Sequence, residues 1–546
     1  MVKKVSPLLL VILFSTLSVL PLFHRGFPPT HDGEYHVIRF YEFYRGLSSG
    51  VVYPRWAPDL NFGYGAPLFN YVYPLPNYVA AFFHSLGFSF TDAFKYNLVT
   101  ATIIGAVFMY FFTKEIFDST SGVVAAVFFS FGPYHLVDVY VRGSVGEVWS
   151  LAIVPGLLWA LFLLIRTGNV KYVSPVALLF ALLIFSHNIL IILFFPLVFS
   201  FAAILCMQDE QPLSSARNPF LAVLLGIGLA SVFWLPAISE KAFVKGLEVY
   251  DYTSNFPDAA SLLLPSWGTG FAGQAGGNAM STQVGVANLL TVISSLALIK
   301  MYKKRKLLFF PIFFIGWFFI VMFFMLPYSS FLWRTIPFFN YVQFPWRYLS
   351  VIIIVCSVLA GGLLAATKRK VLVAGLLIAI SIGTTFSYAN FAYYHPRDDA
   401  YYTTRSNFID GTNSPGNAFN TIFLHSRLSR SERKASFQLG EGTIVSERLL
   451  PERQSYHINT ASPSWILLHT LYFPGWEATD NGKVIPLSKT EGGLMSMFLL
   501  PGEHSITVRF TDTIIRRVAL SITVFSTVLL FMITVSTNKK HNESRS

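Results

Sequence analysis

Apolar stretches that approach bilayer thickness recur from one end of this chain to the other, and that recurrence decides its class. We read twelve of them: 5–23, 95–113, 120–135, 147–165, 172–186, 189–206, 219–238, 285–300, 307–326, 347–366, 371–389 and 514–536. A helix crosses the hydrocarbon core with about 20 residues, so the shorter stretches require tilted or bent helices. Hydrophobic residues make up 53% of the chain and charged residues 12%, which excludes a soluble enzyme. The expected fold is an α-helical polytopic membrane protein of about 12 spans. The apolar run 78–83 is too short to cross and reads as interfacial or re-entrant.

The net charge of +12 is placed by the same pattern. Basic residues cluster between spans, at Lys3-Lys4, Lys303-Lys304-Arg305-Lys306, Lys368-Arg369-Lys370 and Lys539-Lys540. That is the positive-inside distribution of a membrane protein, not a nucleic-acid surface. With the N-terminus inside, these clusters all fall inside, and both termini are cytoplasmic. Arg516-Arg517 is the exception. The first apolar run lacks a small-residue cleavage site and reads as a retained signal anchor in the cell membrane. The two cysteines, Cys206 and Cys356, both lie in apolar spans, so no disulfide framework is expected.

This orientation sends the long loops outside: 24–94, 136–146, 186–188, 239–284, 327–346 and 390–513. The last has alternating runs around Trp465–His469 and Ser505–Phe510. Turn signals at Asp480-Asn481-Gly482, Glu491-Gly492-Gly493 and Pro501-Gly502-Glu503 separate them. It reads as an outer antiparallel β-sandwich. The chain thus divides into a transmembrane domain, 1–389, that domain outside, 390–513, and a final helix with a basic cytoplasmic tail, 514–546. The glycine-rich stretch 268–277 is expected to be a mobile outer loop.

Polar groups at the outer membrane boundary are the candidate chemistry, because ionisable residues there are expensive and usually functional. His31-Asp32-Gly33-Glu34-Tyr35-His36 opens a helix expected over 34–46, with Arg39 and Phe43 on one side. Asp32 is either the N-cap of that helix or a general base whose basicity a low-dielectric surface raises. Glu34 is a second carboxylate. A divalent ion held by His31, Asp32, Glu34 and His36 is open but not favoured, since no strong zinc spacing such as HExxH is present; no metal or other cofactor is assigned. Arg55 lies in the aromatic run that continues to Pro76.

Four further groups share this face. Arg142 is a phosphate clamp or the partner of Glu147 in a locking ion pair. His187 and Asn188 form a tight turn that either packs or touches substrate. Glu240 follows a Trp-Leu-Pro-Ala run. Trp346 and Arg347 are an interfacial anchor or a lipid-phosphate contact. Together they form the kind of constellation from which an active site at lipid level is assembled.

Taken as a set, His31–His36, Tyr53-Pro54-Arg55-Trp56, Gly63-Tyr64-Gly65, Tyr140–Gly143 with Glu147, Ser186-His187-Asn188 and Gln343–Arg347 resemble the prokaryotic membrane proteins called 6-pyruvoyl-tetrahydropterin synthase-related. These are akin to YfhO-type proteins and to GT-C glycosyltransferases. Phe473-Pro474-Gly475-Trp476 and Leu500–His504 resemble the outer β-domain of YfhO-type proteins. The chain carries no soluble pterin pocket and no zinc-His set, so we set pterin chemistry aside. The resemblance implies a GT-C-like helical core with an acidic residue in the first outer loop, 24–94. It implies transfer of a sugar from a polyprenyl-phosphate donor to an envelope glycan, lipid or protein acceptor, with inversion. Asp32 holds the matching position, in a D-x-E arrangement with Glu34 in place of an adjacent acidic pair. Membrane lipid is the other expected partner, and nucleic acid is not one. Two other classes compete: a flippase of lipid-linked glycans, and a non-catalytic envelope scaffold that binds glycan.

Overall fold

The computed structural model describes residues 6–246, 252–274, 277–299, 305–404, 406–425 and 427–543. Lys3-Lys4 and Lys303-Lys304 lie outside the described residues, as do residues 275 and 276 of the glycine-rich stretch.

Among the described residues seven helices are long and apolar enough to cross a membrane: Phe90–Ile116, Val145–Thr167, Leu190–Met207, Leu308–Met325, Pro345–Ala365, Lys370–Tyr388 and Ile514–Thr537. Two bent pairs bring the number to nine, and Pro7–Ser18, Val170–Ser186 and Val286–Leu298 are shorter apolar helices. Their starts are chemically marked. The Ser89 hydroxyl accepts the Asp92 N–H at 3.0 Å, and the Asp118 carboxylate accepts that of Ser121 at 2.9 Å, the usual satisfaction of orphan donors at a helix N-terminus. Pro345–Ala365 runs through the middle of the bundle, with 94% of its apolar window buried. Lys370–Tyr388 and Ile514–Thr537 line the outside, with 17% buried.

The bent pairs correct two expectations. The stretch expected as span 120–135 and loop 136–146 is one buried helical unit. Ser119–Ser130 breaks at Phe131-Gly132, bends by 44°, and continues through Pro133–Val137 into a π-helical turn, Asp138–Arg142. Pro133 explains the break, since its ring cannot follow an α-helical residue without clash. Likewise 219–238 is not one straight span: Pro212–Leu229 bends by 66° into Ser231–Ser239. The run at 78–83 lies in a short helix, Leu75–Ser85.

The C-terminal region carries nine strands: β1 Ala435–Leu439, β2 Gly442–Leu450, β3 Arg453–Thr460, β4 Ser464–Leu471, β5 Trp476–Asp480, β6 Lys483–Ile485, β7 Ser488–Lys489, β8 Leu494–Leu499 and β9 Gly502–Phe510. They form two antiparallel sheets, ordered β1-β4-β8-β7 and β2-β3-β9-β5-β6. Side chains alternate strictly in β3, where Tyr456 and Ile458 are buried between exposed His457 and Asn459, the period-2 pattern of a half-buried strand. The sheets begin at 435, not at 390. In their described part residues 390–434 instead run as a strap along the loop 24–94: Phe27 and His395 exchange backbone hydrogen bonds at 2.8 Å, and the Asn61 N–H donates to the Gly411 carbonyl at 2.8 Å.

Candidate functional site

The first outer loop is seated directly on the π-turn. The backbone N–H groups of His31 and Asp32 donate to the carbonyls of Val141 and Arg142 at 3.0 and 2.9 Å. Gly143 makes this possible. It has φ 62°, and a Cβ there would stand 2.4 Å from Thr30 Oγ1, so only glycine lets the two segments meet. The helix Gly33–Ser48 then leaves the loop. Asp32, His36 and Arg39 share one side of it by spacing.

Behind the loop stands a buried charge cluster. Arg142 Nη1 and Nη2 donate to Glu147 Oε2 and Oε1 at 2.5 and 2.9 Å, and Nη1 also reaches Asp138 Oδ1 at 2.6 Å. Arg347 Nε lies 3.0 Å from Glu147 Oε1, as an ion pair whose N–H is not aimed at the oxygen. The Tyr134 hydroxyl donates to Glu147 Oε2 at 3.1 Å. Two guanidiniums thus face two carboxylates, and the cluster is neutral as a whole. Aromatic faces complete it: Arg142 lies 5.0 Å from the Trp346 ring and Arg347 5.1 Å from Phe344. The locking pair that the sequence left open for Arg142 is therefore formed. Asp138 was missed as a member; its i,i+4 spacing to Arg142 was the available signal.

Asp32 is half-buried and, among the described residues, its carboxylate has neither a hydrogen bond nor an ion pair. Glu34 differs: it pairs with Arg397 on the strap, so the two carboxylates of the D-x-E motif are differently engaged. His36 is buried and packed between Phe40 and Phe94, and burial pushes its imidazole well below the ordinary histidine range. It is a core residue. Arg39 donates to the Asn413 side chain and carbonyl at 3.0 and 2.6 Å and meets no carboxylate among the described residues. His187 stacks on Tyr73 with ring centroids 4.9 Å apart, and its Nδ1 accepts the Ile189 N–H at 3.1 Å. Burial, reinforced by Arg347, Arg142 and Arg39 against Glu147, pushes it down to about 3. Asn188 donates to the Tyr71 carbonyl at 2.7 Å.

Arg55 and Glu240 belong elsewhere. Arg55 donates to Asn70 Oδ1 and the Val232 carbonyl, both at 3.0 Å. Asn70 in turn donates to Glu240 at 2.9 Å, and Glu240 holds Arg516 at 2.8 Å. The backbone N–H groups of Arg55 and Trp56 donate to Glu452 at 2.6 and 3.0 Å, and Trp56 packs edge-on against Trp476 at 5.3 Å. These residues clasp the sheets to the bundle. Arg516, the exception to the expected charge pattern, is neutralised by this pairing.

His31, Asp32, Glu34 and His36 do not converge: His31 Nε2 pairs with the Thr269 carbonyl at 2.9 Å, Glu34 pairs with Arg397, and His36 packs on Phe40 and Phe94. Among the described residues no group of three or more His, Cys, Asp or Glu side chains is arranged to hold a metal ion. The glycine-rich stretch, in its described part, packs Phe271 against the His31 ring at 4.5 Å.

An apolar cavity of about 700 Å³ adjoins the site. Phe180, Ile184, Phe195, Ile227 and Trp234 contribute its walls, and Asn188, Lys241 and Gln343 its polar groups. Asn188 follows His187, and Gln343 accepts from Arg347 at 2.7 Å, which ties the cavity to the charge cluster.

The profile of the family described as 6-pyruvoyl-tetrahydropterin synthase related domain, membrane protein, matches residues 69–392, more than half of the chain. The chain belongs to this family. An uncharacterized protein of Lactococcus lactis subsp. cremoris (strain MG1363) is 22% identical over 257 residues, 45% of this chain and 42% of that protein. Arabinofuranosyltransferase AftD from Mycobacteria has a TM-score of 0.43 at 14% identity, over 70% of this chain and 27% of its own. The archaeal oligosaccharyltransferase AglB from Archaeoglobus fulgidus, solved with an inhibitory peptide and a dolichol-phosphate, has a TM-score of 0.40 at 12% identity, over 70% of this chain and 55% of its own. Likeness at that level assigns no activity. The family does place the chain among membrane proteins.

Proposed function

We propose that this protein is a membrane glycosyltransferase that moves a sugar from a polyprenyl-phosphate donor to an acceptor hydroxyl at the extracytoplasmic face. The observation that carries this reading is the state of Asp32. Among the described residues it is a carboxylate without a partner, beside a cluster in which the other carboxylates, Asp138 and Glu147, are each held by arginine. A base must be free to take a proton. In a single displacement the acceptor proton passes to Asp32, the acceptor oxygen bonds to the anomeric carbon, and the bond to the phosphate oxygen breaks with its electron pair. Inversion follows from the single displacement.

The leaving phosphate needs positive charge that is not already neutralised. Arg142 is balanced by its own carboxylates, which makes it a scaffold residue in this reading. Arg39, bonded among the described residues to neutral acceptors of Asn413, supplies the net charge. The adjoining apolar cavity is suited to the isoprenoid chain. Glu34 is outside the proton transfer, given its pairing with Arg397.

The test is transfer by the purified protein in nanodiscs, with mass spectrometry of lipid-linked sugars in a deletion strain. Asp32→Asn is expected to lower transfer at least ~100-fold with the fold retained. Activity within about threefold of wild type, a barrier change below roughly 1 kcal/mol, removes Asp32 from the base role. One observation favours a flippase, the two sharp helix breaks, since transporters place substrate at discontinuous helices. Translocation of lipid-linked sugar that survives in Asp32→Asn, with no transfer by wild type, would establish that alternative.

A further inference from the structure

Two tyrosines two residues apart in the turn that precedes Leu75–Ser85 end in opposite circumstances. The Tyr71 ring stacks on Phe419 at 5.4 Å, and its hydroxyl donates to the Glu240 carbonyl at 2.7 Å; both ends of the side chain are used structurally. The Tyr73 ring is equally fixed. It stacks on His187 at 4.9 Å. The first turn of Val145–Thr167 backs it so closely that a Cβ on Gly146 would stand 2.6 Å from its Cζ. Its backbone is pinned as well, because Asn77 Nδ2 donates to the Tyr73 carbonyl at 2.9 Å. Its hydroxyl, however, has no hydrogen-bond partner among the described residues. The groups within its electrostatic reach are Arg39, Asp32, Glu147 and Arg347.

We propose that Tyr73 contacts substrate, its hydroxyl donating a hydrogen bond to a hydroxyl of the sugar in transfer. The inference rests on the donor reading above. In an in-line displacement the acceptor oxygen and the leaving phosphate stand on opposite sides of the transferred ring. In that reading Asp32 marks the acceptor side and the Arg39 guanidinium the phosphate side. The side chain that reaches toward both faces the ring itself. A neutral hydroxyl can replace neither the base nor the cation, but it matches a sugar hydroxyl in polarity and size. Burial pushes the phenol up to about 12, so it remains a donor at physiological pH. A site built around a hydroxyl discriminates against an analogue that lacks one, because a buried polar group is then left unpaired.

The test uses the full chain in nanodiscs with undecaprenyl phosphate, bare or carrying glucose, mannose or galactose, and with deoxy analogues of whichever glycolipid binds. Tyr73→Phe keeps the ring and is expected to match wild type in unliganded Tm within about 1 °C and in affinity for bare undecaprenyl phosphate. It should lose about tenfold in affinity for the glycosylated lipid and in kcat/KM. It should also become indifferent to removal of one particular sugar hydroxyl to which wild type responds. Equal discrimination by wild type and Tyr73→Phe would overturn the inference while leaving the donor reading intact. If wild type prefers none of the sugars over bare undecaprenyl phosphate, the donor reading falls and takes the inference with it. A loss for Tyr73→Phe that is equal for bare and glycosylated lipid would place the hydroxyl on the phosphate and overturn the proposal.

Discussion

Arg142 and Glu147 meet in a forked ion pair, Nη1 to Oε2 at 2.5 Å and Nη2 to Oε1 at 2.9 Å, with both side chains buried. Glu147 also holds Arg347, so it joins the π-turn to the helix that starts at Pro345. Removing one partner of a buried pair leaves an uncompensated charge, which costs about 3–5 kcal/mol. Glu147→Gln is therefore expected to lower stability in detergent by that amount, and Arg142→Ala similarly. Thermal unfolding checks both. If either variant keeps wild-type stability and loses donor affinity alone, Arg142 is a substrate clamp and not a scaffold residue.

His187 gives a pH signature with a definite sign. Its folded value, about 3, lies below the unfolded value of about 6.5. Below that unfolded value the unfolded chain binds more protons, so stability falls as the medium is acidified and is fully present only above it. At pH 5 the loss from this residue is about 2 kcal/mol. The difference in Tm between pH 7 and pH 5 should shrink in His187→Gln, measured against wild type in the same detergent. An unchanged difference would mean that the imidazole is not held neutral.

The clasp between bundle and sheets predicts a separable defect. Arg516 donates to Glu240 from Nε at 3.1 Å and from Nη2 at 2.8 Å, across 276 residues of sequence. Arg516→Met leaves Glu240 buried without its cation and should cost about 3–5 kcal/mol. Limited proteolysis should cut 390–434 faster in this variant, because the strap is held between the two parts.

Orientation is tested at the turn between β5 and β6. If both termini are cytoplasmic, a cysteine placed at Asp480 is labelled in intact cells by an impermeant reagent. Protection of that cysteine would invert the topology.

The engagement of Glu34 separates it from Asp32. Its pair with Arg397 is half-exposed, and such pairs contribute about 0–1 kcal/mol. Glu34→Gln should keep transfer within about threefold of wild type, read in the same assay as Asp32→Asn.

Hydropathy is a local property, and what depends on it was legible in the chain. The apolar runs, the outer strands around Trp465 and Ser505, and the turn Asp480-Asn481-Gly482 all follow from which residues avoid water and which tolerate a tight reversal. The helix break at Phe131-Gly132 had its sequence mark in Pro133, but hydropathy passes over it, because the residues on both sides are apolar and buried alike. Charge partners are not local at all. Nothing near Glu34 announces Arg397, 363 residues away, and nothing near Glu240 announces Arg516. The sequence alone established a polytopic membrane protein with a C-terminal strand region and polar groups between the apolar spans. Only the tertiary structure decided which of those groups neutralise one another, as Arg142 and Glu147 do, and which, like Asp32 and the Tyr73 hydroxyl, find no partner among the described residues. A buried charge is stable only beside its counter-charge, and the chain must fold before that partner arrives.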